Sequence, residues 1–171
     1  MSQLYFIALV PDEGLRGEIQ HLKMEMAEHY DASHALKSPA HITLQMPFRW
    51  PEEEESQLFG SLDQLASDQS PFRVELDGFG CFTPRVIFVK VVDHAPVIQL
   101  FERVRKSLKK ADLPEDKMND DIHPHITIAT RDLDKDDFFK AWKVYKKRPF
   151  SRSFTASRLS LLKYNGKNWE I

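Results

Sequence analysis

The sequence predicts a mixed α+β fold built from two related halves. Strand-like and helix-like segments follow one another in the order β-α-β-α-β-β-α-β-α-β-β, without a linker or low-complexity stretch. One short motif also occurs once in each half. A length of 171 residues and a mass of 20.0 kDa suit one domain, or two half-size lobes around a shared core. We therefore expect residues 1–171 to form a single bilobal domain.

Composition excludes several classes of protein. Hydrophobic residues make up 42% of the chain and charged residues 29%, which is typical of a globular protein. The mean hydropathy is -0.46, and no apolar run reaches the roughly 18 residues of a membrane helix. The first apolar run is followed by Pro11-Asp12-Glu13 rather than by a cleavage site, so we expect no signal peptide. Cys81 is the only cysteine, which excludes an internal disulfide. We expect a cytoplasmic, monomeric protein.

The first half contains two predicted strands and two predicted helices. A continuous apolar run predicts a buried strand, and apolar residues at steps of three and four predict amphipathic helices. Alternating side chains predict a second, half-buried strand that ends at Pro47. In chain order the segments are Leu4–Val10, Gly14–His29, Ala40–Met46 and Pro51–Ser67.

The second half adds a hairpin, a strand between two helices and a closing strand pair. Gly78 and Gly80 indicate a bulge or a close backbone approach within the hairpin. Asn165-Gly166 is a strong turn signal for the closing pair. The predicted segments are Phe72–Phe82, Val86–Val92, Ala95–Ala111, His123–Thr130, Asp134–Lys147, Phe154–Lys163 and Trp169–Ile171.

The repeated motif is His-Ile-Thr followed by an aliphatic residue. It occurs at His41 to Thr43 and again at His125 to Thr127, 84 residues later, each time inside a predicted strand. Because side chains alternate between the two faces of a strand, each histidine shares a face with its threonine. The isoleucine between them points into the core. Should the two halves pack about a pseudo-two-fold axis, the two pairs face each other across a cleft.

Two facing imidazoles suit general acid–base catalysis. The imidazole pKa is near 6.5, so a neutral ring can remove a proton while a protonated ring donates one. The two threonine hydroxyls can donate hydrogen bonds to phosphate oxygens without a metal ion. The pattern therefore indicates displacement at a phosphodiester.

The paired motifs resemble the signatures of the 2H phosphoesterase superfamily, particularly its bacterial 2'-5' RNA ligase and RNA 2',3'-cyclic phosphodiesterase branch. The resemblance spans nearly the whole chain. It implies two pseudo-symmetric lobes, each an antiparallel sheet flanked by helices, with the active site between the sheets. It also implies catalysis by His41, Thr43, His125 and Thr127, no cofactor, and RNA ends or small cyclic nucleotides as substrates.

Five further residues are candidates for substrate binding. Phe48, Phe82 and Tyr5 could each stack on a nucleobase or pack in the core. Arg85 resembles an arginine at the cleft of relatives. Arg131 follows the second motif one residue later than the family pattern suggests, and such a slip reverses the face of a strand.

Other interpretations of the same residues stay open. His123 and His125 share a strand face and, with His41, could hold zinc or another transition metal. The motifs could also be ordinary surface residues, or belong to a module that binds RNA ends without catalysis. RNA ligation is the same chemistry run in reverse.

Charge is unevenly distributed along the chain. The net charge is -2, but residues 138–171 contain nine Lys and Arg against one acid, Glu170. This segment is a candidate surface for an anionic partner, although solvated helical Lys and Arg would produce the same count.

Overall fold

Two four-stranded antiparallel sheets organise the protein, and the computed structural model describes all of residues 1–171. The strands are β1 (Ser2–Leu9), β2 (Ile42–Pro51), β3 (Phe72–Phe82), β4 (Val86–Val91), β5 (His125–Ala129), β6 (Ser151–Ala156), β7 (Ser160–Tyr164) and β8 (Trp169–Glu170). The helices are α1 (Glu13–Tyr30), α2 (Glu55–Ser67), α3 (Ala95–Lys110) and α4 (Lys135–Tyr145). Short 3-10 turns lie at His34–Lys37, Glu52–Glu54 and Glu115–Lys117. None of the helices combines the length and apolarity required to span a membrane.

The motif strands occupy corresponding edges of the two sheets. The first sheet has the order β2-β1-β7-β8 and the second the order β5-β4-β3-β6. The unit β1-α1-β2-α2 thus corresponds to β4-α3-β5-α4 about a pseudo-two-fold axis. The α+β architecture of two pseudo-symmetric lobes is confirmed.

The helices connect the two lobes crosswise. Helix α1, which links β1 to β2 of the first sheet, packs against β5 of the second sheet. Helix α3, which links β4 to β5, packs against β2 of the first sheet. Each motif strand therefore rests on a helix from the other unit. The two lobes therefore do not follow the two halves of the chain, because each lobe takes a helix from the other unit.

The segment Phe154–Lys163 is not one strand, which corrects the predicted closing pair. It divides at residues 157–159 into β6, which pairs with β3, and β7, which pairs with β1. The chain passes from one sheet to the other at this point. No proline or glycine marks the crossing, so the sequence carries no local signal of it. The break follows from the pairing partners of the two strands.

Strand β2 continues through Pro47, where the sequence predicted its end. Because β2 is an edge strand, a missing backbone N–H is tolerated there. Tyr5 pairs with Phe48 and Ile7 with Gln45, so two residues of β2 lie opposite Phe6 and form a bulge at Pro47. The strand resumes and carries Phe48 and Trp50 into the core, where they are 2% and 6% exposed.

A bulge in β3 is confirmed at Gly78. Leu76 pairs with Val91 and Phe79 with Val89, which places Asp77 and Gly78 opposite the single residue Lys90. Gly78 has a φ of +73°, a conformation that glycine adopts without the penalty of a side chain. Gly80 serves a different purpose: a Cβ there would lie 2.6 Å from the Phe88 ring. The glycine therefore leaves room for Phe88.

The basic C-terminal segment forms ion pairs with acids from earlier in the chain. Arg148 pairs with Glu25 and Arg152 with Glu18, both on α1. Lys163 of β7 pairs with Glu55 at the start of α2. These partly exposed pairs are screened by solvent and add little to the stability of the fold. Part of the charge asymmetry is thus neutralised within the fold.

Candidate active site

The first motif lies where the chain enters β2. Ile42 and Leu44 are 0% exposed, whereas His41 and Thr43 are half-buried on the opposite face. Thr43 pairs with Ala8 of β1. Ala8 belongs to a small cluster with Phe6 and Leu162 on this face of the first sheet. The motif's alternation between core and cleft is as predicted.

The second motif repeats this arrangement on β5. Ile126 and Ile128 are 0% exposed, and His125 and Thr127 are half-buried on the other face. Thr127 pairs with Phe88 of β4, and His125 pairs with Lys90. Strands β2 and β5 contact each other where the sheets meet. The structure therefore brings both motifs to one junction.

Both imidazoles are held in the same way by the chain that precedes them. His41 Nδ1 lies 2.7 Å from the carbonyl oxygen of Pro39, and His125 Nδ1 bonds the carbonyl of His123. A carbonyl can only accept, so Nδ1 carries the proton in each ring. Nε2 is then the nitrogen left for chemistry. This backbone bond fixes both the tautomer and the ring orientation.

Burial shifts both histidines toward the neutral form. Desolvation lowers the pKa of His41 to about 4, against an opposing effect of the Pro39 carbonyl, and the charges of Lys23 and His125 lower it further. Desolvation also lowers the pKa of His125, followed by the charges of His123 and His94, while the His123 carbonyl raises it. A bound phosphate anion would raise both values, because opposite charge favours imidazolium.

Aromatic rings flank each histidine. The Phe6 ring centroid lies 4.7 Å from that of His41, and Phe88 lies 4.9 Å from His125. Phe82 is 5.2 Å from His125 and 40% exposed. These rings keep water from one side of each imidazole. Phe82, a predicted binding residue, is thus placed beside the second motif with a free surface.

Tyr5 and Phe48 lie elsewhere, which corrects their interpretation as stacking residues. Tyr5 is 0% and Phe48 2% exposed, and their rings face each other in the core at 6.2 Å. The Tyr5 hydroxyl donates to Glu55 at 2.7 Å. The bulge at Pro47 restores the alternation of β2 so that Phe48 points inward. Neither ring can stack on a base in this conformation.

The two predicted arginines are both exposed and differ in position. Arg85 follows Phe82 in the turn between β3 and β4, and its N–H donates to the Phe82 carbonyl at 2.8 Å. Arg131 lies past the end of β5 with a φ of +57°. Its charge lowers the pKa of His34, which places it beside the His34–Lys37 turn. Arg85 is therefore close to the aromatic side of the cleft, and Arg131 is next to the turn before the first motif.

Sequence reasoning overlooked Lys23, which lies behind the first motif. Its side chain is 1% exposed, and its position on α1 falls between the core residues Ile19, Leu22 and Met26. A charged residue at a core position of a helix was the available signal.

The donor set does not form a metal site in this arrangement. No group of three or more His, Cys, Asp or Glu side chains is placed to hold a metal ion. His125 uses Nδ1 on the His123 carbonyl, and the His123 ring centroid lies 4.9 Å from that of His94. The rings of His94, His123 and His125 thus form a packed row at the start of β5.

The chain resembles proteins of known family along almost its whole length. Residues 11–168 match the family described as the 2'-5' RNA ligase superfamily. A candidate phosphoesterase of Bacillus licheniformis is 27% identical over 170 residues, which cover 98% of this chain and 94% of that protein. An RNA 2',3'-cyclic phosphodiesterase of Archaeoglobus fulgidus is 24% identical over 128 residues, covering 72% of this chain and 70% of its own length.

Solved structures show the same fold at low identity. The crystal structure of E. coli LigT complexed with 3'-AMP aligns with a TM-score of 0.67 at 21% identity, covering 99% of this chain and 94% of that one. The protein TT0787 of Thermus thermophilus aligns with a TM-score of 0.65 at 22% identity, covering 98% and 92%. With the family match over residues 11–168, the chain belongs to the 2'-5' RNA ligase superfamily of 2H phosphoesterases.

Proposed function

We propose that the protein hydrolyses a 2',3'-cyclic phosphate, or a 2'-5' phosphodiester, at an RNA end or in a nucleotide, without a metal ion. The observation that carries the proposal is the matched pair of imidazoles. Each donates Nδ1–H to the carbonyl two residues earlier, and each lies on a strand face with a threonine two residues later. The names of relatives support the same chemistry, since one is an RNA 2',3'-cyclic phosphodiesterase and another was solved with 3'-AMP.

The reaction requires one neutral and one protonated ring. Nε2 of the neutral ring takes a proton from water as the water oxygen attacks phosphorus. Nε2 of the protonated ring gives its proton to the ribose oxygen as the phosphorus–oxygen bond breaks. Each proton transfer contributes about 10²–10⁴-fold to the rate. Thr43 and Thr127 donate to the non-bridging phosphate oxygens, whose charge grows in the transition state.

The anionic substrate supplies the charge that the cleft needs to hold a proton. Both histidines have lowered pKa values in the free protein, so neither holds a proton near neutral pH. A phosphate anion between them raises both pKa values and allows one ring to take up a proton. We expect substrate or product binding near neutral pH to consume protons.

A hydrolysis panel tests the function directly. The substrates are 2',3'-cyclic mononucleotides, RNA with a cyclic end, and 2'-5' dinucleotides, each incubated with excess EDTA. The proposal expects turnover of at least one substrate with EDTA present, and turnover lowered by about 10²–10⁴-fold in His41→Ala or His125→Ala. Turnover that needs added metal would overturn it. Binding without turnover would favour a module that recognises RNA ends.

Ligation is the second candidate, because the family description names it. Joining is the same displacement with another nucleophile: a 5'-hydroxyl of one RNA replaces water, attacks the cyclic phosphate of another RNA and displaces its ribose 3'-oxygen, so that a 2'-5' bond forms. One ring again takes the proton of the attacking hydroxyl, and the other protonates the departing oxygen. RNA fragments with cyclic and 5'-hydroxyl ends would reveal a joined product on a gel. If hydrolysis is faster than joining at every fragment concentration, the protein acts as a phosphodiesterase rather than as a ligase.

A further inference from the structure

A buried lysine lies behind the first motif, and the second motif has no buried lysine behind it. Lys23 of α1 is 1% exposed, and its ammonium group donates to the carbonyls of Ala35 at 2.9 Å and Ser38 at 2.8 Å. No carboxylate forms an ion pair with it. Burying an unpaired charge is costly, and desolvation lowers the pKa of Lys23 to about 8. Near neutral pH the ammonium form still predominates.

The lysine holds the turn that orients His41. Its two acceptors bracket the segment from Ala35 to Ser38, and the next residue, Pro39, supplies the carbonyl for His41 Nδ1. The other end of the turn is held by Asp132, whose carboxylate accepts from the N–H groups of Ser33 and His34. Helix α1 and the loop after β5 thus fix this turn from two sides.

The charge of Lys23 also reaches the imidazole itself. It is one of the two charges that lower the pKa of His41, the other being His125 from β5. The turn carries His34 and Lys37, faced by Arg131 and Asp132 beyond β5. The charges that act on His125 are those of His123 and His94, which are themselves imidazoles. Lys90, which pairs with His125 across the ladder, is exposed to solvent, so only the first motif has a buried ammonium behind it.

We propose that Lys23 is a positioning residue for His41: its ammonium fixes the turn that carries the Pro39 carbonyl, and its charge adds to the burial that favours a neutral His41 ring. This inference rests on the proposed function for its catalytic meaning. A neutral His41 is ready to accept a proton, which leaves His125 as the ring that takes up the proton induced by the phosphate. Lys23 thereby biases the first motif toward the role of proton acceptor.

Two variants separate the hydrogen bonds of Lys23 from its charge. Lys23→Gln keeps an N–H donor for the turn and removes the charge, whereas Lys23→Met removes both. Lys140→Met is the matched control, because Lys140 is exposed on α4 and forms no ion pair. The readout is the NMR titration of the imidazole C–H signals, with His41 assigned from its absence in His41→Ala. This titration needs no substrate.

In both Lys23 variants the pKa of His41 should rise, by about 0.5–1 pH unit, and that of His125 should rise less. The acidic limb of kcat/KM should move with it, and Lys140→Met should move neither. An unchanged His41 titration in folded Lys23→Gln would overturn the proposal. Failure of the hydrolysis panel would leave this titration measurable, so the two failures are distinguishable.

The wild-type protein supplies a test when neither variant folds. Between about pH 6 and 10 the ammonium loses its proton, with a midpoint near 8. The carbonyl carbon signals of Ala35, Ser38 and Pro39 should then shift together with that midpoint. A Pro39 signal that stays fixed while the other two move would show that the turn does not transmit the change, and would overturn the proposal.

Discussion

The two histidine motifs have the same local structure and different surroundings. Each ring bonds the carbonyl two residues before it and lies against a phenylalanine. His41 has the buried ammonium of Lys23 behind it, whereas His125 stands in a row with His123 and His94 beside the exposed ring of Phe82. A repeated tripeptide can thus repeat its geometry while tertiary neighbours surround the two copies with different charges.

Removal of each imidazole in turn should have the largest effect on activity. His41→Ala and His125→Ala should each lower kcat by about 10²–10⁴-fold, because each removes one proton transfer. The double variant should lose less than the product of the two losses, since the rings act as a unit. Initial rates on a 2',3'-cyclic mononucleotide with EDTA measure this. His21→Ala, at an exposed position on α1, is the control. A single variant with wild-type kcat would remove that ring from the mechanism.

The threonines should show whether both halves hold the phosphate. Thr43→Ala and Thr127→Ala should each lower kcat by about 10–10³-fold with the melting temperature nearly unchanged, because both side chains are half-buried on the cleft face. Thr→Ser at either position keeps the hydroxyl and should recover most of the rate. Rates and thermal unfolding curves check the pair. Equal activity of Ala and Ser variants would mean that the hydroxyl makes no contact in the transition state.

The depressed pKa of His41 predicts a stability loss in acid. The unfolded chain binds a proton near pH 6.5 and the folded ring only near pH 4, so the free energy of unfolding falls as the pH drops through this window. Well above pH 6.5 the titration of His41 does not lower the free energy of unfolding. At pH 4 it lowers that free energy by about 3 kcal/mol.

Urea unfolding of wild type and His41→Asn between about pH 4 and 7 measures that contribution. The free energy of unfolding of each protein is plotted against pH. The difference between the two slopes then separates the titration of His41 from that of carboxylates in the same pH range. His125 has a lowered pKa as well, so His125→Asn should also flatten the slope. If the free energy of unfolding depends on pH equally in wild type and His41→Asn, the lowered pKa of His41 is contradicted.

The smallest expected effect concerns the base of the substrate. Phe82→Ala removes the exposed ring beside His125 and should raise KM by about 5–100-fold with a smaller change in kcat, the range for one stacked base. Phe48→Ala is the contrasting variant, because its ring is buried and its loss should destabilise the fold by about 3–5 kcal/mol. Steady-state kinetics and urea unfolding separate the two. An unchanged KM in Phe82→Ala would remove that ring from the binding site.

Local pattern was enough for most of the elements and for the two motifs. The strands and helices around Ile42, Ile126 and Val104 follow from apolar periodicity, and Gly78 marked its bulge correctly. At only a few positions does the burial of a side chain differ from the burial that its sequence pattern predicts. Phe48 is a core residue because β2 continues past Pro47, where the sequence predicted its end, and the strand keeps Phe48 on the face of Ile42 and Leu44. The continuation depends on pairing with β1 and on a bulge, which the local sequence does not encode.

The two His-Ile-Thr motifs, the strand face that each presents and the chemistry that imidazole and hydroxyl allow all follow from local sequence. Three features depend instead on long-range packing: α1 and α3 cross between the lobes, residues 157–159 carry the chain from one sheet to the other, and Lys23 lies behind His41. The two groups of features differ in the distance along the chain over which their interactions act. Alternation and hydrogen bonds to residues two positions away are local, whereas desolvation and charge depend on segments distant in the chain.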